Sequence, residues 1–300
     1  PQSDLAPAAR WGGLLRAPVA LQQRLAAPDL APLSDWAAVQ RGYTTGANDF
    51  FYLDAAAVAR WGIEPAFRRP LLKSLRNLDR LQLTPADCRH ELLLIPPQAD
   101  LHETAVAAYV AWGEAHGFHR RRSLADRGGP WYSLPPQAAA PPDGALLLPK
   151  GIWRRHMAPL LAAGVSVDQQ LYQVTPAPGV DPRVAAALLN SAWAIWQLEL
   201  HGRVNFGAGL LWLAAYEVAA LRLPDPRRLP EAAAARLRAC FAPLAVRPCQ
   251  DVETELAQPD RQALDTAVFD LLALDAAQRT AVYQALRDRV QARRRRAASV

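Results

Sequence analysis

One segment of the chain, residues 39–53, concentrates side chains suited to binding chemistry; it reads Val-Gln-Arg-Gly-Tyr-Thr-Thr-Gly-Ala-Asn-Asp-Phe-Phe-Tyr-Leu. Its two glycines, Gly42 and Gly46, permit left-handed backbone or the close approach of a ligand. Its short hydrogen-bonding side chains are Thr44, Thr45 and Asn48. Such a loop suits contact with a phosphate or with the edge of a base. It equally suits a β-turn in which these polar groups satisfy their own backbone.

Arginines form the second set of candidate binding residues, because arginine makes planar, two-pronged hydrogen bonds to phosphate and to guanine. Two clusters lie beside aromatic residues in loop-rich sequence, at 120–127 and 150–155. The candidate contacts, together with the threonines and Asn48 above, are Arg41, Arg120, Arg121, Arg122, Arg154, Arg155, Arg203 and Asn205. Each cluster also fits a solvated surface, and Arg203 also fits a cap on the preceding helix.

The composition of the chain is that of a globular protein with an excess of positive charge. Its 300 residues are 51% hydrophobic, and 34 lysines and arginines face 28 aspartates and glutamates, so an acidic partner is plausible. The arginines at 293–296 predict a solvated face or a disordered phosphate-binding tail. Three widely spaced cysteines without a C-x-x-C pair argue against a disulfide framework and a zinc cluster, and they indicate a reducing cytoplasm. No apolar stretch approaches the roughly 18 to 20 residues of a membrane span.

The hydrophobic pattern predicts an α+β fold in which short strands and exposed loops precede a helical region. Helices are predicted at 19–27, 103–116 and 184–200, with two or three more within 230–294. Strands are predicted at 91–95 and on both sides of the glycine turn within 36–53, the second being Phe50-Phe51-Tyr52-Leu53.

The predicted organisation has three parts. We interpret residues 1–30 as a linker from an upstream catalytic domain, residues 31–228 as a mixed short-strand recognition domain, and residues 229–300 as a helical C-terminal subdomain with a basic tail. Because the chain begins with Pro1 and not with methionine, we interpret it as a fragment of a longer protein.

Three segments of the chain carry an ordered set of motifs. Gly42, Thr45, Gly46, Asn48 and Phe51 match the pattern v-x-x-G-x-x-T-G-x-N-x-x-F in place. The next segments are Gly129-Pro130-Trp131-Tyr132, similar to a W-y/w strand, and residues 198–209, similar to G-R-x-n-x-G-x-G; Leu223-Pro224-Asp225-Pro226 fits the end of the unit. Together they span residues 33–228 and resemble the target-recognition region of the γ-type N6-adenine DNA methyltransferases, a family that includes type IIG restriction-modification enzymes.

The resemblance implies a domain that recognises duplex DNA and presents one adenine to a methylase catalytic domain, supplied upstream or by another chain. The parent enzyme would be a site-specific adenine DNA methyltransferase that uses S-adenosylmethionine and acts on an adenine flipped out of the duplex.

Catalytic motifs of the family are missing from this sequence. The family holds its target adenine with an [N/D/S]-P-P-[Y/F/W] tetrad, whereas the paired prolines here read Ile95-Pro96-Pro97-Gln98, Leu134-Pro135-Pro136-Gln137 and Ala140-Pro141-Pro142-Asp143. The turn Phe206-Gly207-Ala208-Gly209 follows a predicted helix, whereas a cofactor turn follows a buried strand. His116 and His119 lack a third metal ligand near them in sequence. We therefore expect no methyl transfer, no cofactor and no metal in this chain alone.

A protein-interaction module is the alternative function. In that hypothesis the tryptophans and apolar runs dock on a methylase or another partner without binding DNA, and the arginines serve solubility. Either function fits a cytoplasmic protein.

Overall fold

The computed structural model describes residues 17–135, 138, 140–204 and 209–298, and within them the chain forms two compact units. The first unit comprises the residues up to 39, Lys150–Ala158 and the residues from 176 onward; the second comprises Gln40–Pro149 and Pro159–Thr175. These units are defined by packing, so the functional division expected at residues 30 and 228 stays a prediction. In the described ranges, no helix is both long and apolar enough to cross a membrane.

Helices and short strands are interspersed as far as Pro224, and the elements in the described residues beyond it are helices, which confirms the α+β class. The helices are α1 Val19–Leu25, α2 Asn48–Phe51, α3 Ala55–Trp61, α4 Ala105–Ala115, α5 Arg122–Ala125, α6 Pro182–Leu189, α7 Ala192–His201, α8 Ala215–Ala219, α9 Glu231–Val246, α10 Val252–Glu255, α11 Pro259–Leu271 and α12 Ala276–Ala298. The strands are β1 Leu30–Pro32, β2 Ala37–Arg41, β3 Tyr52–Leu53, β4 Arg68–Leu72, β5 Gln82–Leu83, β6 His90–Leu93, β7 Leu146–Pro149, β8 Gly151–Ile152, β9 Leu160–Leu161, β10 Ser166–Val167, β11 Leu171–Pro176, β12 Leu211–Trp212 and β13 Arg222–Pro224.

The strands form small sheets of mixed direction. One sheet has the order β2-β11-β7-β9-β5 and another the order β10-β4-β6-β3, while β1 pairs with β13 and β8 with β12. The pairs β10–β4 and β5–β9 are parallel. Proline stands at the last position of β1, β7, β11 and β13, where its missing N–H ends the ladder. The prolines therefore help to explain why the strands are short.

The core of the second unit is built on aromatic rings. Phe50 stacks on Tyr109 with ring centroids 4.8 Å apart and lies 4.7 Å from the ring of Trp131. The Tyr109 hydroxyl donates a 2.8 Å hydrogen bond to the carbonyl of Phe50. Gly113 of α4 makes room for this packing, because a Cβ there would lie 2.5 Å from the Phe50 ring. The predicted helix at 103–116 thus corresponds to α4, which begins after Thr104 and ends before Gly117.

The prediction of a strand over residues 50–53 is wrong for its first half. Residues Asn48–Phe51 form the helical turn α2, and only Tyr52–Leu53 are extended. Phe50 and Phe51 are both fully buried. Successive side chains of a strand point to opposite faces, so a strand could not direct both rings to one side, whereas a helical turn can.

The helix predicted at 184–200 is two helices, α6 and α7, separated at Asn190 and Ser191. The Asn190 side chain accepts a 2.9 Å hydrogen bond from the Ala158 N–H and donates one to the Ala158 carbonyl. Ser191 caps α7 by accepting a hydrogen bond from the Ala194 N–H. The break therefore comes from polar side chains that satisfy a neighbouring segment of the first unit.

The burial of Arg293 differs from the prediction that residues 293–296 form a solvated face or a disordered tail. Helix α12 buries Val282, Leu286 and Val290 at four-residue intervals, and Arg293 continues the same face. Its side chain is buried, whereas Arg294 pairs with Glu253 at 3.6 Å near the surface. One arginine of the basic run is therefore a core residue.

Arg293 belongs to a buried ionic network in the first unit. Its guanidinium donates hydrogen bonds of 2.6 and 3.2 Å to the Glu199 carboxylate, which also accepts one of 2.8 Å from His156 Nε2. Burial by itself would raise the pKa of Glu199, but the hydrogen bond and charge of His156, together with Arg293, outweigh it and lower the pKa from 4.5 to about 2. Folding is therefore stabilised by the ionised carboxylate.

Removing the charge of Glu199 should strongly destabilise the protein. Glu199→Gln leaves a buried arginine without its counter-charge, so we expect a loss of about 3 to 5 kcal/mol in the free energy of unfolding at neutral pH. Because the folded-state pKa is depressed, the stabilisation from Glu199 is complete above pH 4.5 and is lost as the pH falls towards about 2. Urea unfolding of both proteins across this range should show the two stabilities converging. The exposed Glu253→Gln is the control, and an equal loss in that variant would contradict the assignment.

Gly42→Ala should also destabilise the fold, for a steric reason. A Cβ at residue 42 would lie 2.2 Å from the carbonyl oxygen of Asp168 and 2.6 Å from that of Val167, both backbone atoms that cannot turn aside. We expect a loss of about 1 to 3 kcal/mol, measured by thermal or urea unfolding. Gly179→Ala is the control: its Cβ would meet nothing within 4 Å, although its φ of +85° adds some strain. A smaller effect at Gly42 than at Gly179 would show that the backbone can move apart.

Candidate nucleic-acid interface

The loop between β2 and α2 is held at its base by backbone hydrogen bonds to residues 167–171. The N–H of Gly42 donates to the carbonyl of Leu171 and that of Tyr43 to Val167, each at 2.9 Å. The N–H of Gln169 donates in return to the Tyr43 carbonyl at 3.1 Å. The absent side chain of Gly42 permits this approach. Two loops of the second unit therefore lie side by side.

Thr45 and Asn48 satisfy polar groups within their own loop. The N–H of Ala47 donates to the Thr45 hydroxyl at 3.1 Å, and that hydroxyl donates to Asn48 Oδ1 at 2.5 Å. Thr45 is only 1% exposed, whereas Asn48 is half-buried. This is the self-satisfied turn that the sequence allowed, and a contact of Thr45 with DNA would require the loop to open.

Arg41 and Thr44 face the solvent and form a polar cluster with Gln169. The Arg41 guanidinium donates to both Thr44 Oγ1, at 2.9 Å, and Gln169 Oε1, and the Thr44 hydroxyl also donates to Gln169 Oε1, at 3.0 Å. All three bonds lie at the exposed surface, although Gln169 itself is half-buried. Sequence reasoning missed Gln169, although its place in the polar run Asp168-Gln169-Gln170 between two short strands was an available signal.

The arginine segment at 120–127 packs against the same loop. Arg121 donates two hydrogen bonds of 2.6 Å to the Asp49 carboxylate, and these bonds hold the pKa of Asp49 below its usual value against the opposing effect of burial. The Ser123 hydroxyl donates to the carbonyl of Gly46 at 3.1 Å, and Arg127 donates to the carbonyl of Thr45. Two segments that the sequence predicted separately are therefore one surface, to which Asp49 and Ser123 add contacts that sequence reasoning missed.

Arg120 and Arg122 flank the Arg121–Asp49 pair. The Arg122 side chain is 96% exposed and lies 3.6 Å from the carboxylate of Asp126. Arg120 Nε donates to His119 Nε2 at 3.3 Å on the exposed surface. Pairs this exposed are weak, so both cations are available to an anionic partner. The loop after β2 and the two segments bonded to it carry Arg41, Thr44, Arg120, Arg121, Arg122 and Gln169, and we call this set of side chains the basic loop face.

The other predicted contacts lie in the first unit. Arg154 is exposed and Arg155 half-buried, directly after β8. The Arg203 guanidinium donates hydrogen bonds of 2.9 and 3.1 Å to the Glu217 carboxylate of α8. Asn205 lies outside the described residues.

The proline pairs that the structure describes do not fit an adenine or cofactor site, whereas Pro136 and Gln137 of the second pair lie outside the described residues. Ile95, which would have to hydrogen-bond an amine, is a buried apolar residue, and Gln98 offers no ring for stacking. Asp143, after the third proline pair, accepts a 3.1 Å hydrogen bond from the Ala163 N–H. Of the glycine turn at 206–209, only Gly209 is among the described residues. In the part of the chain that the structure describes, no three His, Cys, Asp or Glu side chains are grouped so as to hold a metal ion.

Comparison with known proteins agrees with this picture of a recognition region. A bacterial relative, the type II methyltransferase M.AccI of Acinetobacter calcoaceticus, is 26% identical over 145 residues, which are 46% of this chain and 26% of the relative. The solved type IIG restriction endonuclease BpuSI is similar with a TM-score of 0.64 at 11% identity, over 94% of this chain and 33% of BpuSI. The type IIL restriction-modification enzyme MmeI, solved in complex with DNA, is similar with a TM-score of 0.55 at 14% identity, over 90% of this chain and 36% of MmeI.

The chain spans about a quarter to a third of these larger proteins, so it corresponds to one part of such an enzyme. The family described as the C-terminal domain of the type II methyltransferase M.Eco57I matches residues 15–247, more than three quarters of the chain. This protein therefore belongs to the M.Eco57I C-terminal domain family of type II methyltransferases.

Proposed function

We propose that this chain binds duplex DNA and recognises its sequence for an adenine-N6 methyltransferase or restriction-modification enzyme. It would present the target adenine to a catalytic domain that this chain does not contain. That catalytic domain would bind S-adenosylmethionine and transfer the methyl group.

One observation carries the proposal: the loop after β2 and the arginine segment at 120–127 pack against each other in the second unit, and both carry exposed arginines. The packing is held by the Arg121–Asp49 ion pair and the Ser123–Gly46 hydrogen bond. Exposed arginines bind the phosphates of DNA whatever its base sequence, and such contacts position a protein on the duplex. The similar MmeI structure contains DNA, which supports the same partner for this chain.

Sequence recognition would come from the polar side chains between these cations. Glutamine can bond in a two-pronged manner to adenine, and arginine to guanine. Gln169 and Arg41 lie on the basic loop face and already exchange a hydrogen bond, so each has its side chain oriented before DNA arrives. Arg154, Arg155, Arg203 and Asn205 are proposed as additional contacts from the first unit.

The full chain should bind duplex DNA with a salt-dependent affinity that falls when exposed arginines are removed. Each phosphate contact contributes about 0.9 to the slope of log affinity against log salt, so Arg120→Ala combined with Arg122→Ala should lower that slope by about 1 to 2. Fluorescence anisotropy of a labelled duplex over a salt series measures this. Arg236→Ala, an exposed arginine of α9 in the first unit, is the matched control and should leave the slope unchanged. Absence of affinity at low salt would favour the protein-interaction module instead.

Asp49→Asn should strengthen DNA binding. The Asp49 carboxylate occupies Arg121 and repels phosphate, so its neutralisation releases one cation and removes one like charge. We expect a rise in affinity of roughly twofold to fivefold, the range of an exposed ion pair. The control is Asp270→Asn, which releases Arg236 and Arg279 on the first unit and should change the affinity less. Equal or weaker binding by the Asp49 variant would remove Arg121 from the interface.

A further inference from the structure

A small sheet in the first unit has one buried and one half-exposed face. Strand β8 pairs antiparallel with β12, with Ile152 opposite Leu211, and Trp212 forms a further antiparallel bridge to Arg203. Ile152 and Leu211 are both buried. Because side chains alternate between the faces of a sheet, Trp212 and Arg203 lie on the opposite face.

That opposite face carries aromatic rings and an arginine in contact. The Arg203 guanidinium lies 5.3 Å from the ring centroid of Trp212 and 5.9 Å from that of Tyr216. Tyr216 is 48% exposed, and Trp153, directly after the buried Ile152, is 47% exposed. Arg154 follows it on the surface. We call Arg203, Trp212 and Tyr216 the aromatic face and include Trp153 in it, because Trp153 directly follows β8 and so alternates with the buried Ile152.

The backbone that carries Trp153 is held from inside the unit. Arg293 Nη1 donates hydrogen bonds to three main-chain carbonyls: 3.2 Å to Ile152, 2.9 Å to Trp153 and 2.6 Å to Gly209. The N–H of Trp212 and that of Arg203 each donate to the other residue's carbonyl at 2.8 Å. A large ring on a fixed backbone loses little conformational freedom when a ligand binds, which favours binding.

We propose that the aromatic face binds an unpaired nucleobase of DNA by stacking; this inference rests on the proposed function. Every base has a flat π surface, and aromatic rings interleaved with arginine are the usual stacking platform for unpaired bases. Arg203 is paired with the Glu217 carboxylate and packs against the rings, so the exposed Arg154 supplies the positive charge for the adjoining phosphate. An enzyme that acts on a base must remove it from the duplex, which leaves a base without its partner. Such a base is the ligand that this face fits.

The test uses the full chain and two labelled duplexes. One contains 2-aminopurine opposite an abasic site, so that the fluorescent base is unpaired; the other contains 2-aminopurine opposite thymine. We expect the chain to bind the first duplex more tightly and to change its 2-aminopurine fluorescence. Trp153→Ala should bind the unpaired probe about tenfold more weakly, the loss expected for one stacked base, and should bind the paired probe as the parent chain does.

Conservative and matched variants complete the design. Trp153→Phe keeps a ring and should retain most of the preference for the unpaired probe. Val246→Ala removes an exposed apolar side chain outside the aromatic face and should change nothing. Thermal unfolding of each variant confirms that it is folded, which the exposed position of Trp153 favours.

The outcomes separate this inference from the proposed function. Salt-dependent binding of the paired duplex without any preference for the unpaired base would overturn the stacking site alone. An equal loss on both probes in Trp153→Ala would make Trp153 a general contact and would also overturn it. No binding of either duplex at low salt would overturn the DNA-binding function and the stacking site together.

Discussion

A buried carboxylate between two basic side chains fixes the arrangement of the first unit. Glu199 faces His156 and Arg293, and Arg293 in turn binds main-chain carbonyls on either side of the small β8–β12 sheet. A charge removed from water is tolerated only when its partners surround it. The burial of Glu199 therefore depends on the segments that supply those partners. The exposed position of Trp153 depends on this, because its own carbonyl is one of the groups that Arg293 holds.

The second unit depends on close backbone approach and not on buried charge. Gly42 lets the loop after β2 lie against residues 167–171, and the aromatic core fixes the helical turn at Asn48–Phe51. With both ends of the loop held, its exposed groups keep one orientation. Asp49 forms an ion pair with Arg121 on the surface that is proposed to bind DNA. A DNA phosphate must therefore compete with the Asp49 carboxylate for Arg121. Such competition favours moderate affinity, which lets a recognition domain leave sites that do not match.

Most residues of the candidate site were singled out from the sequence, but the contacts between them were not predicted. The glycine turn and the arginines at 120–122 were recognised because their residue types are unusual for their local setting. Their convergence was not, since 72 residues separate Asp49 from Arg121. Gln169 was missed for the same reason: its partners Arg41 and Thr44 lie more than a hundred residues earlier, and its place in a local polar run does not by itself reveal them.

Sequence by itself determined the α+β class, the family resemblance, the position of α4 and the helical nature of the C-terminal region, because caps, periodicity and ordered motifs are properties of neighbouring residues. It predicted two or three helices within 230–294, where the structure has four, α9 to α12. Only the tertiary structure decided which polar side chains are buried. The helix is broken at Asn190 because the side-chain amide of this residue bonds to Ala158. Arg293 is buried, unlike a solvated tail residue, because it bonds to Glu199, which lies 94 residues earlier in the chain. Burial of a polar group depends on the partner that replaces water, and that partner is chosen by packing and not by sequence position.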